Sequence, residues 1–121
     1  MTGVQTLAAV MLTHVNAGRL SLARFVDLTS AGPQRVFGIA GKGRIALGYD
    51  ADFTLVDLNA KRTIRAADQA TKAGWTPFDG FEADGWPMAT IVRGHVVMRD
   101  GAVVAPGLGV PIRFVETLQP S

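Results

Sequence analysis

The hydrophobic pattern of this chain changes its period at one point, close to Gly41. Before that point apolar residues recur at helical spacing, and after it they alternate between short groups of turn residues. Helices followed by strands predict an α+β fold in which the two kinds of element are segregated along the chain. We therefore predict a helical segment over residues 1–40 and a strand-rich segment over residues 41–121, with the junction at residues 38–43.

Three helices are predicted in the first segment. Gly18 closes the first as a left-handed cap, and Ser21 is a suitable N-cap for a second that ends before Gly32. Pro33 then suits the first turn of a third helix, which stops at Gly38. The apolar stripe of the first helix consists of Val4, Leu7, Ala8, Met11, Leu12 and Val15. Two short helices are too little to cover it, so we expect a covering partner or self-association.

Short strands are predicted in the second segment. Ile45 and Leu47 alternate before a turn at residues 48–50, and Phe53 and Leu55 alternate after it. Residues 63–65 suit a short edge strand, 66–80 a long loop, and 112–118 a last strand. Between these lies a three-strand meander over residues 89–92, 95–98 and 102–104, turned at Arg93-Gly94 and Asp100-Gly101.

Composition excludes several classes of protein. The 121 residues are 48% hydrophobic and 18% charged, which is typical of a folded domain rather than a disordered segment. Cysteine is absent, which excludes disulfides, thiolate zinc sites and cysteine nucleophiles, and a cytoplasmic location is expected. The net charge of +2 comes from scattered side chains, and no apolar run is long enough to span a bilayer. We expect neither nucleic acid nor membrane as a partner.

Residues that could carry chemistry are few. His14 and His95 stand alone in the sequence, and we expect the first at the rim of its helix and the second on the solvent side of a strand. Asp50 and Asp52 are two residues apart; they would repel each other, and Asp50 is interpreted as making the turn. Asp79 before Gly80 is likewise interpreted as a turn residue, and Glu82 and Asp84 as a solvated face.

The remaining candidates have structural interpretations too. Ser21, Ser30 and Ser121 lack the strand-to-helix elbow of a nucleophilic serine, and residues 41–44 (GKGR) are interpreted as a flexible connector. A cluster of aromatic residues is expected to anchor the long loop on an apolar surface; it consists of Trp75, Phe78, Phe81 and Trp86. We predict no catalytic, substrate-binding or metal-binding residue in this chain.

Several stretches together resemble one family. Residues 42–57 (KGRIALGYDADFTLVD) are similar to a block shared by many amidohydrolases. The blocks 32–38 (GPQRVFG), 74–80 (GWTPFDG) and 86–101 (WPMATIVRGHVVMRDG), with 3–6 (GVQT) leading into a helix, resemble the cyclic-amide branch of that superfamily. The chain as a whole resembles the C-terminal end of a dihydroorotase.

This resemblance implies a parent with a metal-dependent (β/α)₈ barrel and a small β-sandwich built from both chain ends. Because such a barrel needs roughly 250 residues, the chain would hold the last barrel helix, the short helices after it and the C-terminal strands of the sandwich. The zinc ligands of the family, its carboxylated lysine and its catalytic aspartate would lie upstream of Gly3, so no site residue is carried over. Gln5 stands where many relatives have glutamate, and a substrate-side role for it stays a minor alternative.

The implied parent reaction is the reversible hydrolysis of dihydroorotate to carbamoyl aspartate, a step of pyrimidine biosynthesis that uses two divalent metal ions. The chain alone is then expected to be inactive, with no cofactor of its own. Two alternatives stay open. The chain could be a non-catalytic module that self-associates or docks on another subunit through exposed apolar faces, or the parent could be a hydantoinase or an allantoinase.

Overall fold

The structure, a computed structural model, describes residues 3–105 and 107–118. The chain divides into two compact units. The first unit comprises the segments Met1–Leu22 and Val56–Pro87, and the second comprises Ala23–Leu55 and Met88–Ser121. Helices and an antiparallel sheet of four strands make up the fold, so the expected mixture of helices and antiparallel strands is confirmed.

Helix α1 spans Leu7–Asn16 in the first unit. Gly18 follows it with a φ of 74°, so the predicted left-handed stop is confirmed. The buried face agrees with the predicted stripe only in part: Leu12 of the stripe is buried, but so is Ala9 outside it, whereas Val4 is 97% exposed. Ala9 belongs to the core cluster with Ile64 and Ala83. The small side chain of Ala9 lets the helix backbone approach the strands closely. The spacing of large apolar residues does not predict this contact.

The second and third predicted helices form one continuous helical segment. Helix α2 (Leu22–Val26) leads into a π-helical turn (Asp27–Ala31) and then into helix α3 (Gly32–Phe37). The break predicted before Gly32 is therefore wrong. Pro33 has no N–H, and its ring disfavours the regular α-helical hydrogen bonds of the preceding turn. The wider π turn accommodates this proline: the amide of Gly32 donates to the carbonyl of Asp27, five residues earlier.

Gly38 ends this helical segment with a φ of 62°, as predicted.

Within the described part of the chain, none of the helices has the length and apolar character needed to cross a bilayer.

The sheet has the strand order β1-β2-β3-β4. Its strands are β1 (Phe53–Thr63), β2 (Glu82–Val92), β3 (His95–Arg99) and β4 (Ala102–Val103). Strand β3 pairs antiparallel with both of its neighbours, with an irregularity between Thr90 and Ile91. The predicted meander is confirmed.

The two turns of the meander have the conformation expected of tight hairpins. Arg93 and Gly94 have φ values of 47° and 82°, and Asp100 and Gly101 have 50° and 82°. Positive φ at both central residues defines a type I′ turn, which matches the twist of the flanking strands.

Three predicted strands are wrong. Ile45 and Leu47 lie in a non-regular loop and are 87% and 102% exposed, because no strand among the described residues pairs with them. Thr63 ends the long strand β1, so residues 63–65 are not a separate edge strand. Phe114 forms an isolated bridge with Ile39, after which helix α4 spans Val115–Leu118.

The long loop over residues 66–80 is confirmed apart from a short 3₁₀ turn, Ala66–Asp68.

Candidate functional site

Lys42 lies between two carboxylates in the second unit. Its Nζ is 3.0 Å from Oδ2 of Asp50 and also donates to Oδ2 of Asp52. One cation therefore neutralises part of the charge of two neighbouring acids, and the repulsion expected between Asp50 and Asp52 is offset. The interpretation of residues 41–44 as a flexible connector missed this pairing. No local signal in the sequence indicates this pairing, because Lys42 and Asp52 are 10 positions apart.

Asp52 also fixes the turn between β2 and β3. Its Oδ1 accepts a hydrogen bond of 2.8 Å from the amide of Arg93, and the carbonyl of Ala51 accepts one of 2.9 Å from the amide of Gly94. The guanidinium of Arg93 donates to the carbonyl of Leu108. We call Lys42, Asp50, Asp52 and the Arg93 amide the lysine clamp. It joins the loop before β1 to a hairpin turn.

The ionisation of the clamp follows from these contacts. Partial burial pushes the pKa of Asp52 upward, but hydrogen bonds from Lys42 and from the Arg93 amide outweigh it, so this pKa lies below its ordinary value. The hydrogen bond with Asp52 raises the pKa of Lys42 against the opposing effect of burial. Both shifts favour the charged forms, so near neutral pH neither group is poised to transfer a proton. The contacts of the clamp therefore support a structural role.

A second polar arrangement holds the long loop of the first unit. The side chain of Gln5 donates to the carbonyl of Asp68 (3.0 Å) and accepts from the amide of Ala70 (2.8 Å). Asp79 lies in a turn over residues 77–80, as predicted, and it also accepts a hydrogen bond of 2.7 Å from the amide of Ala66. Both polar atoms of the Gln5 amide are thus engaged with loop backbone.

The aromatic residues of the loop region pack as an anchor. Phe78 and Phe81 meet edge to face with ring centroids 6.1 Å apart. Together with Trp86 they are partly buried against the core cluster of the first unit, as predicted, while Trp75 stays 48% exposed. A cavity of about 50 Å³ beside Gln5 and Trp86 holds no more than a few water molecules.

An open groove of about 430 Å³ runs along the first unit, and its lining residues are Lys61, Arg62, Thr63, Glu82, Ala83 and Asp84. Charges of both signs are mixed along it, so no single class of small ion or ligand is favoured.

The donor groups that the structure describes are not arranged as a zinc centre. His14 bonds through Nδ1 to the guanidinium of Arg19 at 3.0 Å, and His95 is exposed at the start of β3. Over residues 3–105 and 107–118, no three or more histidine, cysteine, aspartate or glutamate side chains are grouped so that they could hold a metal ion. A zinc site needs three or four such ligands around one point.

Comparison with known proteins gives a consistent relationship. Residues 2–97 match the model of the amidohydrolase family. The chain is 46% identical to the dihydroorotase of Methanothermobacter thermautotrophicus over 84% of its own length and 23% of that protein. It is 38% identical to an allantoinase of Desulfitobacterium hafniense over 93% of its length and 25% of that protein.

Among solved structures, an L-hydantoinase from Arthrobacter aurescens superimposes with a TM-score of 0.77 at 39% identity, covering 80% of this chain and 22% of that one. The chain therefore spans about a quarter of the length of the curated relatives it matches. The family model covers well over half of the chain, and the resemblance to dihydroorotases inferred from residues 3–6, 32–38, 42–57, 74–80 and 86–101 is confirmed. The chain belongs to the amidohydrolase family.

Proposed function

We propose that this chain is the C-terminal scaffold part of a dihydroorotase-type amidohydrolase and has no catalytic activity alone. The proposal depends on one combination of observations. The chain matches dihydroorotases over nearly all of its own length but over about a quarter of theirs, and its two histidines and absent cysteines do not fit a zinc centre.

In the parent enzyme the reaction is the reversible hydrolysis of the cyclic amide of dihydroorotate to carbamoyl aspartate, within pyrimidine biosynthesis. Zinc in that enzyme would activate the attacking water. Residues 1–40 would then correspond to the end of a metal-dependent barrel, and residues 41–121 to part of a β-sandwich. No residue described in this chain is assigned to the chemistry.

The described residues contribute rigidity to such a parent. The lysine clamp fixes the loop before β1 on the β2–β3 turn, and Gln5 fixes the start of the long loop. Large apolar side chains on the second unit are exposed in a way that suits burial under further polypeptide. They are Val36, Phe37, Ile45 and Leu47, between 66% and 102% exposed.

A hydantoinase or allantoinase parent is the second candidate, supported by the allantoinase relative and the hydantoinase neighbour. It differs from the first only in the cyclic amide hydrolysed. A non-catalytic module that self-associates, or docks on another subunit, through the same exposed apolar residues is the third candidate.

The proposal is tested with the purified chain and a chimera. The chain alone is assayed for dihydroorotate hydrolysis with zinc added, and bound metal is counted; we expect no turnover and no stoichiometric metal. Turnover by the chain alone would overturn the proposal.

The chimera joins this chain to the Methanothermobacter dihydroorotase from which the matching segment has been removed. We expect the chimera to hydrolyse dihydroorotate and the truncated enzyme alone not to. A second chimera carries Ile45→Asp and Leu47→Asp. If these two side chains are buried in the parent, this chimera should hydrolyse dihydroorotate more slowly than the first. The alternative parents are distinguished by parallel chimeras with a hydantoinase and an allantoinase truncated in the same way, because the chain should restore activity best to the kind of enzyme from which it derives.

A further inference from the structure

Strand β1 is a long strand at one edge of the described sheet. It spans Phe53–Thr63, and in the strand order its one described neighbour is β2. Over residues 57–61 the side chains alternate between exposed and half-buried, so Asp57, Asn59 and Lys61 share an exposed face. An exposed edge of this length offers a row of backbone groups for pairing with another strand.

Hydrogen bonds show which backbone groups of β1 face β2. Directly after β1, the amide of Ile64 donates to the carbonyl of Phe81 and its carbonyl accepts from the amide of Gly80, just before β2. Every second residue of a strand points the same way, so the carbonyl of Leu58 lies on this side too; it accepts from the side chain of Asn16, which also donates to the carbonyl of Asp84 in β2. Because the carbonyl and N–H of one peptide point in opposite directions in a strand, the amide of Asn59 points to the outer edge. That amide bonds to the Asp57 carboxylate at 2.8 Å.

The charged residues on this edge are complementary to the same edge of a second copy of the chain. In an antiparallel pair of β1 strands centred on Asn59, each Asp57 faces the Lys61 of the other copy. The pairing is isologous, so this opposite-charge contact occurs twice. A parallel, in-register pair would instead place Asp57 beside Asp57 and Lys61 beside Lys61. Charge thus selects both the direction and the register.

We propose that β1 pairs antiparallel with β1 of a second copy of this chain, centred on Asn59, to form a dimer with a continuous sheet. The Asn59 amide exchanges its bond to Asp57 for the Asn59 carbonyl of the second copy, and the freed Asp57 carboxylate meets Lys61. This inference concerns the chain by itself and does not depend on the proposed parent reaction.

The test is sedimentation velocity across a wide concentration range. The unaltered chain should dimerise reversibly. Lys61→Asp places acids opposite acids and Asp57→Lys places lysines opposite lysines, so each should weaken the dimer by about tenfold or more. Mixing the two variants should restore dimers, because the wholly acidic edge of the first variant then faces the wholly basic edge of the second. The double variant Asp57→Lys with Lys61→Asp should dimerise alone.

Lys72→Asp, in the exposed loop of the same unit, is the matched control for the change in net charge and should leave the dimer unaffected. Asn59→Pro removes the outward N–H and should abolish pairing without breaking the bonds to β2. The fluorescence of Trp75 and Trp86 checks that each variant folds. A monomer at every concentration, a dimer that tolerates Lys61→Asp, or single variants that do not pair on mixing would each overturn the proposal.

Discussion

The two units of the chain are stabilised in different ways. The first unit contains most of the buried residues of the described chain, including Leu12, Ile64 and Ala83. The second buries Phe25 and Ala89 but leaves many large apolar side chains exposed, and its loop is fixed by the lysine clamp. Apolar packing therefore dominates one unit and polar contacts shape the other. This difference predicts different responses to substitution, pH and salt.

The largest expected effect comes from the buried leucine of α1. Leu12 is 0% exposed, so Leu12→Ala removes buried methyl groups and leaves a cavity, which should lower the free energy of unfolding by about 3 kcal/mol. Leu47→Ala, the same change at a fully exposed position of the second unit, should alter it by less than about 0.5 kcal/mol. Urea unfolding followed by tryptophan fluorescence measures both. Equal effects would contradict the contrast between the units.

Glycines at close contacts give the next largest effect, one in each unit. A Cβ on Gly85 would lie 2.8 Å from Cβ of Leu12, and a Cβ on Gly43 would lie 2.8 Å from the carbonyl oxygen of Ser30; both glycines have positive φ. Alanine at either position should cost about 2 to 3 kcal/mol, through strain and overlap together.

Gly74→Ala is the control, because Gly74 has positive φ with open space around its Cβ position, and it should cost about 1 kcal/mol. Gly85→Ala should act on the first unit, where both tryptophans lie, whereas Gly43→Ala should raise amide hydrogen exchange in the second. An effect of Gly43→Ala no larger than that of Gly74→Ala would argue against a close approach there.

The lysine clamp should make the second unit sensitive to acid. Because the pKa of Asp52 is lowered in the folded protein, its stabilisation is present above the ordinary aspartate pKa and is lost as the pH falls through the lowered value. The raised pKa of Lys42 predicts the converse loss only at strongly alkaline pH. Hydrogen exchange at the Arg93 and Gly94 amides, followed as the pH falls, measures this directly.

Asp52→Asn should remove most of that pH dependence and cost about 1 kcal/mol or less, since the clamp is partly exposed and screened by solvent. Asp68→Asn is the control, because Asp68 is exposed in the first unit and lies outside both the clamp and strand β1. An unchanged exchange profile at Arg93 in the Asp52 variant would contradict the assigned role.

The smallest effect is expected at Gln5. Gln5→Ala loses two exposed hydrogen bonds to the loop, so proteolysis within residues 66–80 should accelerate while the free energy of unfolding changes by less than about 1 kcal/mol. Gln5→Glu keeps an acceptor for the Ala70 amide but loses the donor to Asp68, so an intermediate rate is expected. Identical rates in all three proteins would show that Gln5 does not hold the loop.

Local signals in the sequence predicted the parts of the fold that need no distant partner. The type I′ turns at Arg93-Gly94 and Asp100-Gly101 and the stops at Gly18 and Gly38 follow from short-range backbone preferences. The alternation of Ile45 and Leu47 is the same kind of signal, yet it gave a wrong strand, since a strand also requires a neighbour to pair with.

The site followed the same division. Asp79 was predicted as a turn residue from its neighbours in the sequence, and the aromatic anchor from four aromatic residues within twelve positions; both predictions agree with the structure. The pairing of Lys42 with Asp50 and Asp52, and of Asp52 with the Arg93 amide, joins residues up to 41 positions apart. Composition and spacing do not specify such contacts.

By itself the sequence determined the tight turns and the change from helices to strands, because both depend on local preferences, and it determined the family, because the matching blocks are read from the sequence directly. The tertiary structure alone decided that Ala9 rather than Val4 is buried and which cation meets Asp52. Burial and ion pairing are set by the distance between elements, and that distance exists only once the chain has folded.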